Sequence, residues 1–285
     1  MPRVALLGTG LLGTAIGLRL LDCDVELAVW NRNPERCIPL LEAGGTLLNP
    51  LDHGIQDYSA VISVLSDGPV TANVIRDLGP LDQTCVIPMG TMGVRESKDL
   101  AQQVRQQQGR YLEAPVLGSK PQALNGSLLV MEGGEADVFA QQHDLLKLLC
   151  QQPVHVGPVG SAAACKLALN QMIASLTHSF SLSLRMIQQA GVPVETFMQI
   201  LRPSALYAPT FDKKLQRMLD HHYADPNFST ALLRKDLKLF LREATATGLQ
   251  SKGLDGLAAL LEQANGTDLD ADDYCALHEL TAQQG

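Results

Sequence analysis

Apolar runs of strand length alternate with longer, more polar blocks through the first half of the chain. Val4–Leu7 is the first run, followed by Gly8-Thr9-Gly10 and a helix opening at about Leu11. Further strands are expected at Asp24–Trp30, Asp57–Leu65, Thr84–Met89, Tyr111–Val116, Ser127–Glu132 and Val154–Val156. A short strand or loop bridges Gly45 to Asp57. The helices between them are Glu35–Ala43, with Pro34 in its first turn and Gly44-Gly45 closing it, then Thr71–Leu78, Val94–Gln108 and Ala136–Leu149. Strand and helix alternate up to residue 157, which predicts an α/β domain built on a doubly wound parallel sheet. The pattern changes at Gly157-Pro158-Val159-Gly160-Ser161. Ala162–Ala190 reads as one helix of roughly 40 Å, ended by Gly191-Val192-Pro193. The rest is helical: Val194–Leu201, Ala208–Asp220, Ser229–Gly248 with an apolar stripe at Leu237, Phe240 and Leu241, Leu254–Asn265 and Ala271–Gln283. The expected domains are therefore residues 1–160 and an all-α domain, residues 161–285, joined by the long helix.

Composition narrows the class. A chain of 285 residues with 46% hydrophobic and 18% charged residues has the makings of a globular protein with a sizeable core. The formal net charge of −8 argues against nucleic-acid binding. No apolar stretch reaches the roughly 18–20 residues of a membrane span. Arg3 ahead of an apolar run invites a secretory-signal reading, but glycines break the run and no small-residue cleavage site follows. The six cysteines show no C-x-x-C and no metal-ligand spacing, so reduced thiols and a cytoplasmic location are expected. His221-His222 reads as surface polarity, and no metal is expected.

The strongest chemical signal is the spacing of Gly8, Gly10 and Gly13. In G-x-G-x-x-G the first glycine allows a sharp turn, the second lets backbone approach a pyrophosphate, and the third lets helix pack on strand. The helix N-terminus then directs free N–H groups at the phosphates. The competing reading is an ordinary glycine-rich turn; its position directly after an N-terminal apolar strand favours a dinucleotide. The second strand ends in Trp30-Asn31-Arg32, without the carboxylate that would receive ribose hydroxyls. Arg32 offers a planar cation to a 2′-phosphate, so NADP(H) is preferred over NAD(H), against the alternative of a solvated surface arginine. Ser66-Asp67-Gly68-Pro69 and Gly90-Thr91-Met92-Gly93 lie at strand ends on the same sheet edge. On the long helix Lys166 and Asn170 share a face, in an almost uncharged stretch. Lys166 is either a core lysine reaching for solvent or a site residue, and burial there would lower its pKa. Lys235-Asp236, taken alone, reads as a solvated charge pair. Ser119 and Lys120 follow a glycine in a loop at a strand end.

The ordered set Leu7-Gly8-Thr9-Gly10-Leu11-Leu12-Gly13, Trp30-Asn31-Arg32, Glu113-Ala114-Pro115-Val116-Leu117-Gly118-Ser119-Lys120, Gly157-Pro158-Val159-Gly160 with Lys166-Leu167-Ala168-Leu169-Asn170, and Lys235-Asp236-Leu237 resembles the β-hydroxyacid dehydrogenase family. That family includes 3-hydroxyisobutyrate dehydrogenases and glyoxylate/succinic semialdehyde reductases. The resemblance implies an N-terminal Rossmann domain, a helical C-terminal domain and an active site in the cleft between them. It implies that Lys166 donates the proton to a carbonyl oxygen or stabilises that oxygen, and that Asn170 holds the substrate or the lysine. Gly8, Thr9, Gly10, Leu11, Leu12, Gly13, Asn31 and Arg32 would bind the cofactor, with Leu65 and Ser66 on the adenosine side, Thr91 near the nicotinamide ribose and Lys235 reaching cofactor or substrate. Leu117, Gly118 and Ser119 would meet the substrate carboxylate, and Phe228 would wall the pocket. A homodimer or homotetramer is implied as well.

Leu117 and Gly90 depart from the pattern, since many relatives have serine at both. The losses remove hydroxyls from the substrate side, a deficit of about 1–3 kcal/mol for a carboxylate left short of donors. The leading expectation is an NADPH-dependent reductase of a short aldehyde or keto acid, in the glyoxylate/succinic semialdehyde branch. The alternatives are a 3-hydroxyisobutyrate-type dehydrogenase, an imine reductase, against which Lys166 argues, and a non-enzymatic dinucleotide-binding module.

Overall fold

A computed structural model describes residues 2–48 and 55–282. The chain divides into two compact units, residues 1–167 and 168–285.

The first unit is built on a sheet whose described strands run in the order β3-β2-β1-β4-β5-β6-β8-β7, with β9 beside β8. These are β1 (Arg3–Leu7), β2 (Glu26–Trp30), β3 (Thr46–Leu47), β4 (Ala60–Ser63), β5 (Cys85–Pro88), β6 (Arg110–Glu113), β7 (Val116–Leu117), β8 (Leu129–Gly134) and β9 (Val154–Gly157). Strands β1 to β6 are parallel, and the order reverses between β1 and β4. The central strands β1, β2, β4 and β5 alternate their side chains between two cores, which is why they read as unbroken apolar runs. Along β1, Val4 and Leu6 enter one core with Ile16 and Leu20 of α1 (Leu11–Asp22), Leu40 of α2 (Ile38–Glu42) and Leu145 of α6 (Ala136–Lys147). Ala5 and Leu7 enter the other, with Ile75 of α3 (Gly68–Asp77) and Leu100 and Val104 of α4 (Val94–Gln106).

The parallel-dominated, doubly wound sheet is as expected, and one flank adds an antiparallel strand. β8 runs antiparallel to both β6 and β7, which form one interrupted ladder in a single register: Leu112 faces Gly134, Glu113 faces Gly133, Val116 faces Val130 and Leu117 faces Leu129. The interruption is Ala114-Pro115, where the Ala114 N–H donates to Pro88 O instead and Pro115 has no N–H. The segment back to β8 holds only α5 (Lys120–Leu124), too short for a crossover, so the chain turns back on itself. The strand expected at Ser127–Glu132 therefore lies at Leu129–Gly134, its two glycines included. The helix expected at Glu35–Ala43 is instead a 3-10 turn, Pro34–Cys37, followed by α2, because Pro39 cannot continue the hydrogen-bond ladder. The Gly45–Asp57 connection falls partly outside the described residues.

Helix α7 (Ser161–Gln189) is 29 residues long, about 43 Å, and the division between the units falls within it. The second unit continues with α8 (Val194–Leu201), α9 (Pro209–Leu219), α10 (Thr230–Ala246), α11 (Asp255–Glu262) and α12 (Leu277–Leu280) around Phe180, Leu184, Met198, Phe211, Leu233 and Leu237. The single helix expected over Ala271–Gln283 is not formed in the described part. Asp273 takes the Cys275 N–H and a buried Lys214 ion pair at 2.8 Å, which starts a 3-10 turn at Tyr274–Ala276 and leaves only α12 beyond it. Residue 283 lies outside the described residues. Among the described residues, no helix is long and apolar enough to cross a membrane.

Candidate active site

The three glycines of the first loop meet different demands. Gly8 has φ +98°, and a Cβ there would lie 2.9 Å from Leu65 Cδ2. At Gly13 a Cβ would run into the carbonyl of Gly8, so α1 can lie this close to β1 only without a side chain. Around Gly10, by contrast, a Cβ would meet nothing within 4 Å. No packing inside the protein requires a glycine there, and the open cradle fits a pyrophosphate approaching the N-terminus of α1. Leu11 projects outward at 61% exposure, whereas Leu12 packs against the core. Thr9 is buried. Its N–H donates to Asn31 Oδ1 at 3.2 Å, and the Asn31 amide donates to Asn33 O at 3.0 Å. Asn31 thus braces the glycine loop against the end of β2, while Arg32 is exposed at that strand end.

Leu65 and Ser66 follow β4 on the same edge, and Gly90 and Thr91 follow β5. A Cβ at Gly90 would come within 2.5 Å of Leu65 O. Glycine here reflects close packing of the two strand-end turns as well as the missing hydroxyl. Ser66 donates to Asp67 Oδ2 at 2.8 Å, and Asp67 caps α3 through the Val70 N–H. Thr91 is half-buried in the turn after Gly90. The parallel strands therefore bring Gly8–Gly13, Asn31, Arg32, Leu65, Ser66 and Thr91 to one edge, at the point where the sheet order reverses.

Lys166, in the second turn of α7, is half-buried and lines a small cavity with Pro88, Gly90, Met92, Glu113, Pro115 and Ala163. Glu113 anchors that helix. Its Oε1 accepts from the N–H groups of Gly160 at 2.8 Å, Ala162 at 2.7 Å and Ala163 at 3.4 Å, and its Oε2 accepts from the Ser97 hydroxyl. A carboxylate at a helix N-terminus satisfies orphan donors and complements the helix dipole. Burial nevertheless pushes the Glu113 carboxyl above its ordinary range, against the pull of those four donors. Sequence reading assigned Glu113 no role. The available signal was an acid between Leu112 and Ala114 in an otherwise apolar strand.

Leu117 ends β7, and Gly118, at φ +136°, turns the chain into α5. The Ser119 N–H and hydroxyl both donate to Gln122 Oε1, at 3.0 and 2.7 Å. A carboxylate on this loop must displace that amide oxygen.

In the second unit, Asn170 and Asp236 are each 1% exposed. Asn170 Nδ2 donates to Asp236 Oδ2 at 2.6 Å, and Lys235 Nζ lies 2.9 Å from Asp236 Oδ1. The solvated pair expected at Lys235-Asp236 is thus corrected: only the lysine reaches the surface, because the turn of α10 that carries Asp236 faces inward beside Leu233 and Leu237. Phe228 packs at the edge of the same core, its ring 5.9 Å from that of Tyr274.

Sheet order and glycine cradle together define a dinucleotide-binding unit, and the family matches make the chain an NAD(P)-dependent oxidoreductase. Residues 3–157 match the family described as the NAD binding domain of 6-phosphogluconate dehydrogenase, and residues 160–281 match the family described as NAD-binding of NADP-dependent 3-hydroxyisobutyrate dehydrogenase. The chain belongs to the β-hydroxyacid dehydrogenase family. Glyoxylate/succinic semialdehyde reductase 1 of Arabidopsis thaliana is 30% identical over 244 residues, 84% of each chain. Human cytokine-like nuclear factor N-PAC is 24% identical over 97% of this chain, which spans 51% of that longer protein. Among solved structures, Mycobacterium tuberculosis 3-hydroxyisobutyrate dehydrogenase superposes with a TM-score of 0.86 over 99% of this chain and 100% of its own, at 20% identity.

Proposed function

We propose that this chain is an NADPH-dependent reductase of short-chain aldehydes or keto acids of the glyoxylate and succinic semialdehyde type. The observation that carries the reading is Lys166, set among uncharged neighbours in the sequence of α7 and lining a small cavity beside the turn that follows β5. NADPH, when bound, supplies the hydride for the carbonyl carbon. Lys166 holds a proton at the carbonyl oxygen and releases it as negative charge develops there, so the carbonyl gains one hydride and one proton and becomes an alcohol. Asn170, one turn further along the helix, orients the substrate or the lysine. Gly10 and the N-terminus of α1 receive the pyrophosphate, Arg32 receives the 2′-phosphate, and Lys235 and Thr91 serve the cofactor from their own elements. The Gly118-Ser119 loop and Phe228 face the substrate.

The exposed Arg32 and the absence of a carboxylate at the end of β2 support NADP(H) over NAD(H). A homodimer or homotetramer is supported by Met172, Leu182 and Met186, which leave 52%, 47% and 71% of their surface exposed along α7. Six unpaired cysteines support a cytoplasmic location, and the acidic balance disfavours nucleic acid as a partner.

Steady-state assays with NADPH and a panel of glyoxylate, succinic semialdehyde, hydroxyisobutyrate-type acids and a cyclic imine test the assignment. Lys166→Ala is expected to cut turnover at least about 10²-fold while NADPH binding is retained. Undiminished turnover in that variant, or turnover of the imine alone, overturns it.

A further inference from the structure

The buried carboxylate of Asp236 faces two of the residues assigned to the site. Asn170 Nδ2 approaches Oδ2 at 2.6 Å and Lys235 Nζ approaches Oδ1 at 2.9 Å. A carboxylate paired with an ammonium accepts hydrogen bonds and donates none. The Asn170 atom facing it is therefore the NH2 group, whichever way the side-chain amide is turned in isolation. The other end of that amide, Oδ1, is buried and has no hydrogen-bond partner. Buried polar atoms are rarely left so, and one at a candidate site calls for a donor from outside the fold or from a neighbouring side chain. Lys166, four residues earlier on α7, is one such donor, and the hydroxyl of an alcohol product is another.

We propose that Asp236 is a positioning residue. It locks the Asn170 amide with its oxygen presented as an acceptor, and it tethers Lys235 within the same arrangement. One of the two Asn170 N–H donors is then committed to Asp236, and the amide oxygen is the end presented to a ligand. It accepts from the ammonium of Lys166 or from the hydroxyl of the alcohol, which leaves Lys166 as the donor to the carbonyl. The proposal rests on the assignment of Asn170 and Lys235 to the reductase site.

The test is a double-mutant cycle on the full chain, with Asn170→Ala, Asp236→Asn and the pair, assayed with NADPH and glyoxylate or succinic semialdehyde. Asp236→Asn is expected to lower kcat/KM about 10- to 100-fold in the unmodified background, the range of a lost charged hydrogen bond, and by less than about 3-fold when Asn170 is already alanine. Equal effects in the two backgrounds overturn the proposal, since a general loss of stability is additive. Silence of Asn170→Ala removes the site assignment instead. The geometry is then read by NMR on the unmutated protein, which also serves if Asp236→Asn fails to fold. Exchange of the Asn170 side-chain amide hydrogens with solvent is expected to be at least about 10-fold slower than at the exposed Asn125. Exchange as fast as at Asn125 overturns the carboxylate lock whatever the activity.

Discussion

Gly10 and Gly13 lie three residues apart, and alanine at the two positions is expected to fail in opposite ways. At Gly13 the added Cβ meets the Gly8 carbonyl, with its carbon at 3.0 Å and its oxygen closer still. The loop must give by roughly 1 Å, an overpacking that costs about 1–3 kcal/mol. For a unit of this size that lowers the melting temperature by about 2–12 °C. At Gly10, φ −73° and ψ −171° suit alanine, and the Cβ enters open space. Losing glycine at a helix N-cap costs about 0.5–1 kcal/mol, but alanine returns roughly 0.4–1 kcal/mol by restricting the unfolded chain. The melt should therefore hardly move. The same Cβ occupies the cradle assigned to the pyrophosphate, and 1–3 kcal/mol of overpacking there weakens NADPH binding by about 5- to 150-fold. Thermal melts paired with titration of NADPH fluorescence read both quantities on each variant. An unweakened Kd in Gly10→Ala refutes the cradle, and a wild-type melt for Gly13→Ala refutes the packing account.

Arg32→Ala is expected to reduce the ratio of NADPH to NADH efficiency by about 10-fold or more, because a 2′-phosphate loses a charged fork of donors; an unchanged ratio in paired kcat/KM measurements removes that role. Glu132 has no exposed surface, and neither of its carboxylate oxygens has a hydrogen-bond partner; burial pushes its carboxyl up to about 7. The folded state thus holds this proton more tightly than the unfolded state does, so stability is full below about pH 4.5 and declines as pH rises through 7. The whole decline is about 3 kcal/mol. Denaturant unfolding at pH 5 and pH 8 should show Glu132→Gln with a flatter pH dependence than the unmodified chain, and equal slopes would mean that Glu132 titrates normally.

The strand, glycine turn and helix of the dinucleotide-binding unit were legible because their signals are local. A strand end, a glycine spacing and a helix start occupy ten consecutive residues, and Gly8 and Gly13 each have a steric reason inside the fold. Asn31 shows the limit of such reading. Its place after Trp30 marked the right strand end, but whether it meets a ligand or braces Thr9 depends on residues 22 positions apart. The buried acids were illegible for the same reason. Glu113 finds its partners in a helix that begins nearly fifty residues later, and Asp236 finds Asn170 66 residues away. Nothing in Lys235-Asp236 itself says which of the two faces inward. The antiparallel flank was hidden because Tyr111–Val116 and Ser127–Glu132 are apolar enough to pair in either direction. What decides is the brevity of α5 between them.

The grip of Glu113 on the start of α7 also fixes the angular phase of that helix. Each residue of an α-helix advances the side-chain direction by about 100°. With the N–H groups of Gly160, Ala162 and Ala163 held by one carboxylate, the heading of Lys166 is set by counting from that anchor. One residue inserted between Ala163 and Lys166 would lengthen the helix by only about 1.5 Å, yet turn the lysine out of its cavity. The spacing between Gly160 and Lys166 is thus as much a part of the proposed active site as the lysine.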